Sequence, residues 1–168
     1  MTRGVPGDVM ELGVFRGSGI FSRLKMLNYL GLNRTVYGFD IFNSELLLSG
    51  IGTKDRDVMS SLFQDRGCSP LGYQEVLSSK LIEHGFSDFE LIAGDIFDTL
   101  PDFLQKNPSF RASLINLDMD TEEPTYFAPE KLWDRLVVGG VLILDVYGIN
   151  QWTESDAVDR FMSEKTCN

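Results

Sequence analysis

Cysteine is scarce in this chain of 168 residues, which contains only Cys68 and Cys167. The two residues lie far apart and in none of the short spacings that hold a metal ion. They also cannot supply the disulfide framework on which small secreted domains depend. We therefore expect free thiols in a reducing compartment, and we predict that the protein is cytoplasmic.

Long apolar runs and basic stripes are also missing. No stretch approaches the roughly 20 apolar residues that cross a membrane, and the N-terminal sequence has no apolar core of a signal peptide. With 15 basic and 25 acidic residues, the formal net charge is −10, which argues against a nucleic-acid partner. A hydrophobic content of 43% with 24% charged residues predicts one soluble domain over residues 1–168.

The stretch from Asp8 to Gly19 is the most informative part of the chain. An apolar run ends at Glu11, three glycines follow closely, and an amphipathic helical pattern begins after them. A strand, a tight glycine turn and a helix bring backbone N–H groups close to a nucleotide-like ligand. Because glycines also close ordinary strand-to-helix turns, this pattern needs support from elsewhere in the chain.

Strand and helix patterns alternate along the whole sequence. The predicted strands are Asp8–Val14, Thr35–Asp40, Phe89–Ala93, Ala112–Asp118 and Val138–Val146. The predicted helices are Ser18–Leu30, Tyr73–His84, Phe97–Gln105, Pro124–Leu136 and Thr153–Glu164. This alternation predicts an α/β fold with a doubly wound, mostly parallel sheet of about five strands and helices on both faces.

One connection is much longer than the others. Between Asp40 and Tyr73 the sequence has mixed polarity and several glycines. A connection of this length in a compact domain is typical of a lid or a binding loop. We therefore interpret residues 41–72 as a lid or acceptor loop within the single domain, and we expect it to be the most mobile part of the unliganded chain.

Carboxylates occur at or beside the ends of the predicted strands. They are Glu11, Asp40, Asp95, Asp118 and Asp145. Ligands of open parallel sheets bind at the carboxyl ends of the strands, where gathered carboxylates repel one another unless a cation or hydroxyl groups lie between them. Any one of these residues could simply cap the following helix, but the whole set indicates a binding crevice.

Several of these positions have specific roles available. Asp40 can accept both ribose hydroxyls of an adenosine cofactor. Asp95, with the backbone around Ile96, can hold the adenine edge. Asp118 and Asp145 end adjacent strands in our interpretation, so their oxygens could bind one Mg²⁺ ion. The single histidine, His84, precedes Gly85 at a helix end, where a solvated or capping role is favoured over that of a base.

Several segments in register resemble the macrocin O-methyltransferase family. The matching segments are Glu11-Leu-Gly-Val-Phe-Arg-Gly, Val36-Tyr-Gly-Phe-Asp40, Gly94-Asp-Ile-Phe-Asp-Thr-Leu-Pro101, Leu117-Asp-Met-Asp-Thr121, Gly139-Gly-Val-Leu-Ile-Leu-Asp-Val-Tyr-Gly148 and Ala157-Val-Asp159. The resemblance as a whole runs from Gly7 to Phe161, with the segments in the order and spacing of the family.

The resemblance implies a Rossmann-like class I methyltransferase that uses S-adenosylmethionine and Mg²⁺ and acts on a hydroxyl of a sugar or other small natural product. The cofactor-binding residues that we predict are Glu11, Gly13, Phe15, Gly17, Ser18, Asp40, Asp95 and Ile96. The resemblance places Asp118 and Asp145 at metal positions, and we predict Asp118 as the catalytic residue. A small-molecule acceptor is the expected partner, and its identity stays open.

The sequence also departs from the family pattern. The family commonly has two successive aspartates after the fifth strand, whereas Val146 follows Asp145 here, and its additional N-terminal helices and two further strands are missing. An alternative is therefore a truncated or degenerate cofactor-binding domain with little activity. A second alternative is a nicotinamide-dependent oxidoreductase, although its Gly-x-Gly-x-x-Gly fingerprint does not match the Gly-x-x-x-Gly that follows Glu11.

The fifth strand is predicted to lie at an edge of the sheet. It is apolar on both faces and has no lysine or proline to prevent pairing with another chain. We therefore expect a homo-oligomer through the edge formed by this strand.

Overall fold

The computed structural model describes residues 4–50, 52–67, 72–145, 147–148 and 153–166. Within them the strands are β1 (Asp8–Leu12), β2 (Val36–Asp40), β3 (Phe89–Ala93), β4 (Ala112–Leu117) and β5 (Leu136–Leu144). The α-helices are α1 (Ser18–Leu30), α2 (Ser44–Gly50), α3 (Thr53–Arg66), α4 (Tyr73–Glu83), α5 (Ile96–Lys106), α6 (Glu122–Leu132) and α7 (Glu154–Thr166). A 3₁₀ helix, Trp133–Arg135, joins α6 to β5.

The five strands form one parallel sheet in the order β3-β2-β1-β4-β5. Strand β1 is central, with Glu11 opposite Gly38 of β2 and Asn116 of β4. The chain builds one half of the sheet through β2 and β3, then returns to β1 and builds the other half through β4 and β5. The predicted doubly wound fold is confirmed, and the order reverses between β1 and β4, where such sheets bind ligands.

Each face of the sheet has its own apolar core, so helices cover both faces as predicted. One core contains residues of β1, α1 and α4, among them Val9, Ile20, Leu24, Leu77 and Leu81. The other contains residues of β1, β4, α5 and α6, among them Met10, Leu100, Phe103, Ile115 and Leu132. Because β1 and β4 are covered on both sides, they appear in the sequence as continuous apolar runs rather than as alternating ones.

The segment interpreted as a loop, residues 41–72, is largely helical where it is described. It contains α2 and α3, so the loop prediction was wrong about its secondary structure. Met59 and Phe63 lie four residues apart on one face of α3, and both are buried. The sequence of α3 is mostly polar, which weakens the helical periodicity of its apolar residues. The predicted mobility of the segment stays a prediction.

Several predicted boundaries differ from the structure by a few residues. Strand β1 ends at Leu12, and β5 begins at Leu136, two residues before the predicted start. Helix α6 begins at Glu122, so Pro124 lies in its first turn, and it ends at Leu132. Val146, the predicted last residue of the fifth strand, lies outside the described residues, as do Cys68 and Cys167.

Strand β5 lies at the edge of the sheet, as predicted. Among the described residues its pairing is with β4 alone. Val138 is fully exposed, and Val141 and Ile143 are 41% and 37% exposed.

None of the described helices combines the length and the apolar character needed to cross a membrane.

Candidate active site

A cleft of about 760 Å³ lies beyond the carboxyl ends of β1, β2 and β4. The predicted site residues that line it are Glu11, Gly13, Phe15, Ser18, Asp40, Asp95, Ile96, Asp118 and Asp145. Gly17 belongs to the same turn but does not line the cleft. Helices α2 and α3 form part of the wall through residues such as Leu47, Met59 and Phe63. The fold therefore brings almost all of the predicted site residues to one place.

Gly13 joins the ends of three strands at the floor of the cleft. Its N–H donates to the carbonyl of Phe39, 2.8 Å away, and the N–H of Asp118 donates to the carbonyl of Leu12 at the same distance. A Cβ atom on residue 13 would lie 1.8 Å from the carbonyl oxygen of Asp118. With φ at +92°, residue 13 must be glycine for β1 and β4 to approach this closely.

The turn after Gly13 leads directly into α1. Phe15 adopts a left-handed conformation with φ of 48°, and Gly17, with φ of 88°, is the N-cap residue. Among the described residues no side chain caps α1, and Ser18 is the first helical residue and lines the cleft. A helix N-terminus without a side-chain cap favours an anionic group of a ligand.

Asp40, at the end of β2, organises this turn. Its Oδ2 accepts the N–H groups of Val14 at 2.8 Å and Phe15 at 2.7 Å, and its Oδ1 accepts the N–H of Phe42 at 2.7 Å. Burial raises the pKa of Asp40, and these three N–H donors lower it in part. Since an ionised carboxylate has about four acceptor sites, Asp40 retains capacity for about one further hydrogen bond from a ligand.

Glu11 forms a buried ion pair with Arg23 of α1. The two charged groups are 2.8 Å apart, and Glu11 is 2% exposed. Burial raises the pKa of Glu11 to about 8, because the guanidinium of Arg23 offsets only part of the desolvation and nearby aspartates add to it. Gly19 makes room for the pair, since a Cβ atom there would lie 2.1 Å from Oε1 of Glu11.

Arg23 also lines the cleft and was missed by the sequence reasoning. One signal could have indicated it: Arg23 lies one helical turn after Gly19, on the same side of α1. At that position the long side chain of Arg23 can reach back to the end of β1, where Glu11 lies.

Asp95 and Ile96 lie at the start of α5, on the wall beside β2. Asp95 is the N-cap residue, and its Oδ1 accepts the N–H of Phe97 at 3.0 Å. The capping role weighed for these carboxylates therefore applies to Asp95, which also lines the cleft. Phe97 lines the cleft too and is 42% exposed, so an apolar surface lies next to this polar cap.

Asp118 and Asp145 follow the neighbouring strands β4 and β5 and face each other across the cleft floor. Burial, the charge of Asp145 and a hydrogen bond between the two side chains together raise the pKa of Asp118 to about 6. The guanidinium of Arg23 opposes it. The two carboxylates therefore repel each other unless a proton or a cation lies between them.

Glu154, the first residue of α7, is a second residue that the sequence reasoning missed. It is fully buried, and neither of its carboxylate oxygens has a hydrogen-bond partner among the described residues. Burial raises its pKa to about 8, with further contributions from the charges of Asp120, Asp118 and Asp145. No sequence signal indicated this placement, because an acidic residue in a first helical turn is ordinarily a favourable surface residue.

Three other side chains proved to have structural roles. Trp133 packs edge-on against Phe161 of α7, with ring centroids 5.4 Å apart. The hydroxyl of Tyr147 donates to Asp159 at 2.6 Å, which ties the segment after β5 to α7 and raises the pKa of the tyrosine. His84 is the C-cap residue that follows α4, and its Nδ1 lies 2.9 Å from the carbonyl of Lys80, so it has the capping role expected from the sequence.

A family profile described as Macrocin-O-methyltransferase (TylF) matches residues 1–168 of this chain. The chain belongs to the macrocin O-methyltransferase family. It is 33% identical over 150 residues to an 8-demethyl-8-(2,3-dimethoxy-alpha-L-rhamnosyl)-tetracenomycin-C 4'-O-methyltransferase of Streptomyces olivaceus. The match covers 88% of this chain and 55% of that relative.

Solved structures of methyltransferases share the fold. The crystal structure of the calicheamicin methyltransferase CalS11 superposes with a TM-score of 0.76 and 26% identity, over 95% of this chain and 65% of that one. The O-methyltransferase NovP superposes with a TM-score of 0.71 at 23% identity, over 96% and 65% of the two chains. This chain therefore spans about 55–65% of the length of these relatives.

Membership of the macrocin O-methyltransferase family favours a methyltransferase over a nicotinamide-linked oxidoreductase. The geometry fits S-adenosylmethionine, because the turn after Gly13 presents an uncapped helix N-terminus and Asp40 retains acceptor capacity.

The fit of the site to Mg²⁺ rests on the carboxylate oxygens that the side chains offer. Within the described ranges no three acidic, histidine or cysteine side chains are grouped closely enough to hold a metal, but Asp118, Asp145 and the unpartnered Glu154 all offer the oxygen ligands that Mg²⁺ prefers.

Proposed function

We propose that this chain is an S-adenosylmethionine-dependent O-methyltransferase that acts on a hydroxyl of a sugar or other small natural product, assisted by a divalent cation. The observation that carries the proposal is the cleft, in which the glycine turn and the strand-end carboxylates converge. The relatives support the acceptor class: one is titled a rhamnosyl-tetracenomycin O-methyltransferase, and CalS11 is titled a TDP-rhamnose 3'-O-methyltransferase.

The residues around β1 and β2 bind and orient the cofactor in this proposal. S-adenosylmethionine supplies an activated methyl group on its sulfonium. The N-terminus of α1 and the Glu11–Arg23 pair offer complementary charges for the carboxylate and amino groups of its amino-acid part. Asp40 accepts a hydrogen bond from a ribose hydroxyl, and Asp95 with Ile96 borders the adenine.

The opposite side of the cleft prepares the acceptor. With its pKa raised to about 6, Asp118 is a better proton acceptor than an ordinary aspartate, so we assign it the acceptor proton. Asp118 and Asp145 would also hold the divalent cation, whose positive charge favours the ionised forms of the acceptor hydroxyl and of Asp118 alike, so the raised pKa of Asp118 belongs to the site before the cation binds. Since methyl transfer is an in-line displacement, alignment of the two reactants supplies much of the remaining catalysis.

Binding and transfer assays test this proposal directly. Calorimetry with S-adenosylhomocysteine should show one site per chain. Wild type should transfer a labelled methyl group from S-adenosylmethionine to TDP-rhamnose or a rhamnosylated acceptor, and Asp118→Asn should lose this activity. Exposed Asp102 on α5 provides the control variant Asp102→Asn, which should behave as wild type. Absence of S-adenosylhomocysteine binding would contradict the proposal.

A second candidate is a cofactor-binding domain with little activity of its own. The valine at position 146, where the family commonly has a second aspartate, favours it. This candidate predicts S-adenosylhomocysteine binding equal to that of the first proposal but no methyl transfer to any sugar acceptor, with or without Mg²⁺. The same two assays therefore distinguish the candidates.

We also propose that two copies of the chain pair through the edge of β5. The exposed valines and isoleucine on this strand support the proposal, as does its outer edge, which has no strand partner among the described residues. We expect Val138→Lys to shift wild-type dimers to monomers in sedimentation velocity without loss of the thermal transition, because Val138 is fully exposed in the single chain. The control Tyr29→Lys, at an 85% exposed position of α1, should leave the dimer intact. A wild-type monomer at high micromolar concentration would overturn this expectation.

A further inference from the structure

Glu154 is a buried acid for which the described part of the fold provides no hydrogen-bond partner. Its side chain is fully buried, and both carboxylate oxygens are without a hydrogen bond among the described residues. Buried polar groups are almost always hydrogen-bonded, so an unsatisfied carboxyl group needs an explanation. Burial of such a group without compensation destabilises a protein in general, and more so when the group is charged.

The surroundings of Glu154 increase this penalty. Asp118, Asp120 and Asp145 are the charged groups that act on it most strongly, and all three disfavour its ionised form. Asp118, Asp120 and Asp145 line the cleft, so Glu154 lies directly behind the acidic side of the cleft. The backbone N–H of Asp120 lowers the pKa of Glu154, but the pKa stays raised at about 8 because burial and the carboxylate charges outweigh it.

The position of Glu154 is fixed by contacts between α7 and the segment after β5. The N–H of Gly148 donates to the hydroxyl of Ser155 at 2.8 Å, and the hydroxyl of Tyr147 donates to Asp159 at 2.6 Å. Ala157 and Val158, close by on the same helix, are buried and anchor it. The start of α7 is therefore held beside the end of β5, where Asp145 lies.

We propose that Glu154 is the third carboxylate ligand of the divalent-cation site to which Asp118 and Asp145 contribute. This inference rests on the proposed function and extends it to a residue outside the strand ends. Val146 has no side-chain oxygen, and Glu154 supplies from α7 the carboxylate that the strand end lacks. A cation between the three carboxylates would offset their mutual repulsion. It would also be coordinated by the unpartnered oxygens of Glu154.

The arrangement is not a preformed metal centre. In the described part of the chain no three potential ligands are grouped around a common point. Asp118 and Asp145 already share a hydrogen bond, and binding of a cation would draw Glu154 toward them. The competing explanation is a permanently protonated glutamic acid that has no function, and it predicts no effect of Glu154 on cation binding.

Cation binding, measured without any methyl transfer, tests the inference. Mn²⁺ is titrated into the purified full chain, and free Mn²⁺ is followed by electron paramagnetic resonance. We expect Glu154→Gln to weaken Mn²⁺ binding at least tenfold relative to wild type and to reduce the rise in melting temperature that Mn²⁺ produces. Asp156→Asn is the matched control, because Asp156 is an exposed carboxylate two residues further along the same helix.

The outcomes separate this inference from the proposed function. If Asp118→Asn loses Mn²⁺ and Glu154→Gln retains wild-type affinity, Glu154 is not a ligand and the inference is overturned. If wild type binds no Mn²⁺ at millimolar concentration, the inference and the cation assistance both fail, while S-adenosylhomocysteine binding still reports on the cofactor site. Should Glu154→Gln not fold, as judged by circular dichroism, Glu154→Asp is used instead. Its shorter side chain should also weaken Mn²⁺ binding, and unchanged affinity would overturn the inference.

Discussion

Gly13→Ala should destabilise the fold by about 4 kcal/mol or more, which is an exceptional loss for the addition of one methyl group. The added Cβ atom would lie 1.8 Å from the carbonyl oxygen of Asp118, and this oxygen belongs to the backbone, which cannot rotate away. Relief of the overlap would separate β1 from β4 at the floor of the cleft. Chemical denaturation followed by circular dichroism measures the loss, and cofactor binding should disappear with it.

Gly31→Ala is the matched control for this experiment. Gly31 also has a positive φ, of 64°, but a Cβ atom there would have no heavy atom within 4 Å outside the immediate chain. The substitution therefore adds backbone strain alone, about 1 kcal/mol. The difference between the two variants isolates the close approach of the strands. Equal destabilisation by both would show that strain, rather than the contact between β1 and β4, explains the glycine at position 13.

Asp40→Ala should lower cofactor affinity at least tenfold, a loss of about 1.4 kcal/mol. It should also destabilise the fold by about 2–4 kcal/mol, because the N–H groups of Val14, Phe15 and Phe42 lose their acceptor. The left-handed backbone at Phe15 and Phe42 is held by these bonds, so the turn should lose its shape. Calorimetry with S-adenosylhomocysteine, well below the melting temperature, measures the affinity.

Two further variants separate the parts of this effect. Asp40→Asn keeps one acceptor oxygen, so it should fall between wild type and Asp40→Ala in both stability and affinity. Asp102→Ala removes an exposed carboxylate of α5 and should change stability by less than about 0.5 kcal/mol. A folded Asp40→Ala protein with wild-type affinity would remove Asp40 from the cofactor site.

The two predictions together show a double role for the residues that end β1 and β2. Asp40 was predicted as a ribose ligand, and in the structure it first organises the turn that forms the site. Gly13 was predicted as part of a glycine turn that approaches a nucleotide-like ligand, and in the structure it allows β1 and β4 to meet. Binding and stability therefore depend on the same residues, which is why the largest effects are expected here.

The architecture was accessible from local sequence patterns. Strands buried on both faces, such as β4 with all six residues buried, give continuous apolar runs. Amphipathic helices such as α1 lie between them, and strand-end carboxylates such as Asp40 and Asp118 mark the carboxyl edge. Each of these signals lies within a few residues of chain, so no knowledge of the partner segments is needed to read it.

Helices α2 and α3 were not accessible in the same way. The sequence of α3 is mostly polar, and only Met59 and Phe63 are buried along it in the described residues. A helix that covers a cleft rather than a core needs few apolar residues, so its periodicity is weak. The same reason explains why a long, glycine-rich connection suggested a loop.

By itself the sequence determined the α/β alternation, the family and the strand-end residues around which the cleft forms. Only the tertiary structure decided which charges meet there. Arg23 reaches Glu11 because Gly19 leaves room between them, and Glu154 lies behind Asp118 because α7 is fastened beside the end of β5. The electrostatic character of the site depends on distances between residues far apart in the chain, and such distances are fixed by packing, which no local pattern encodes.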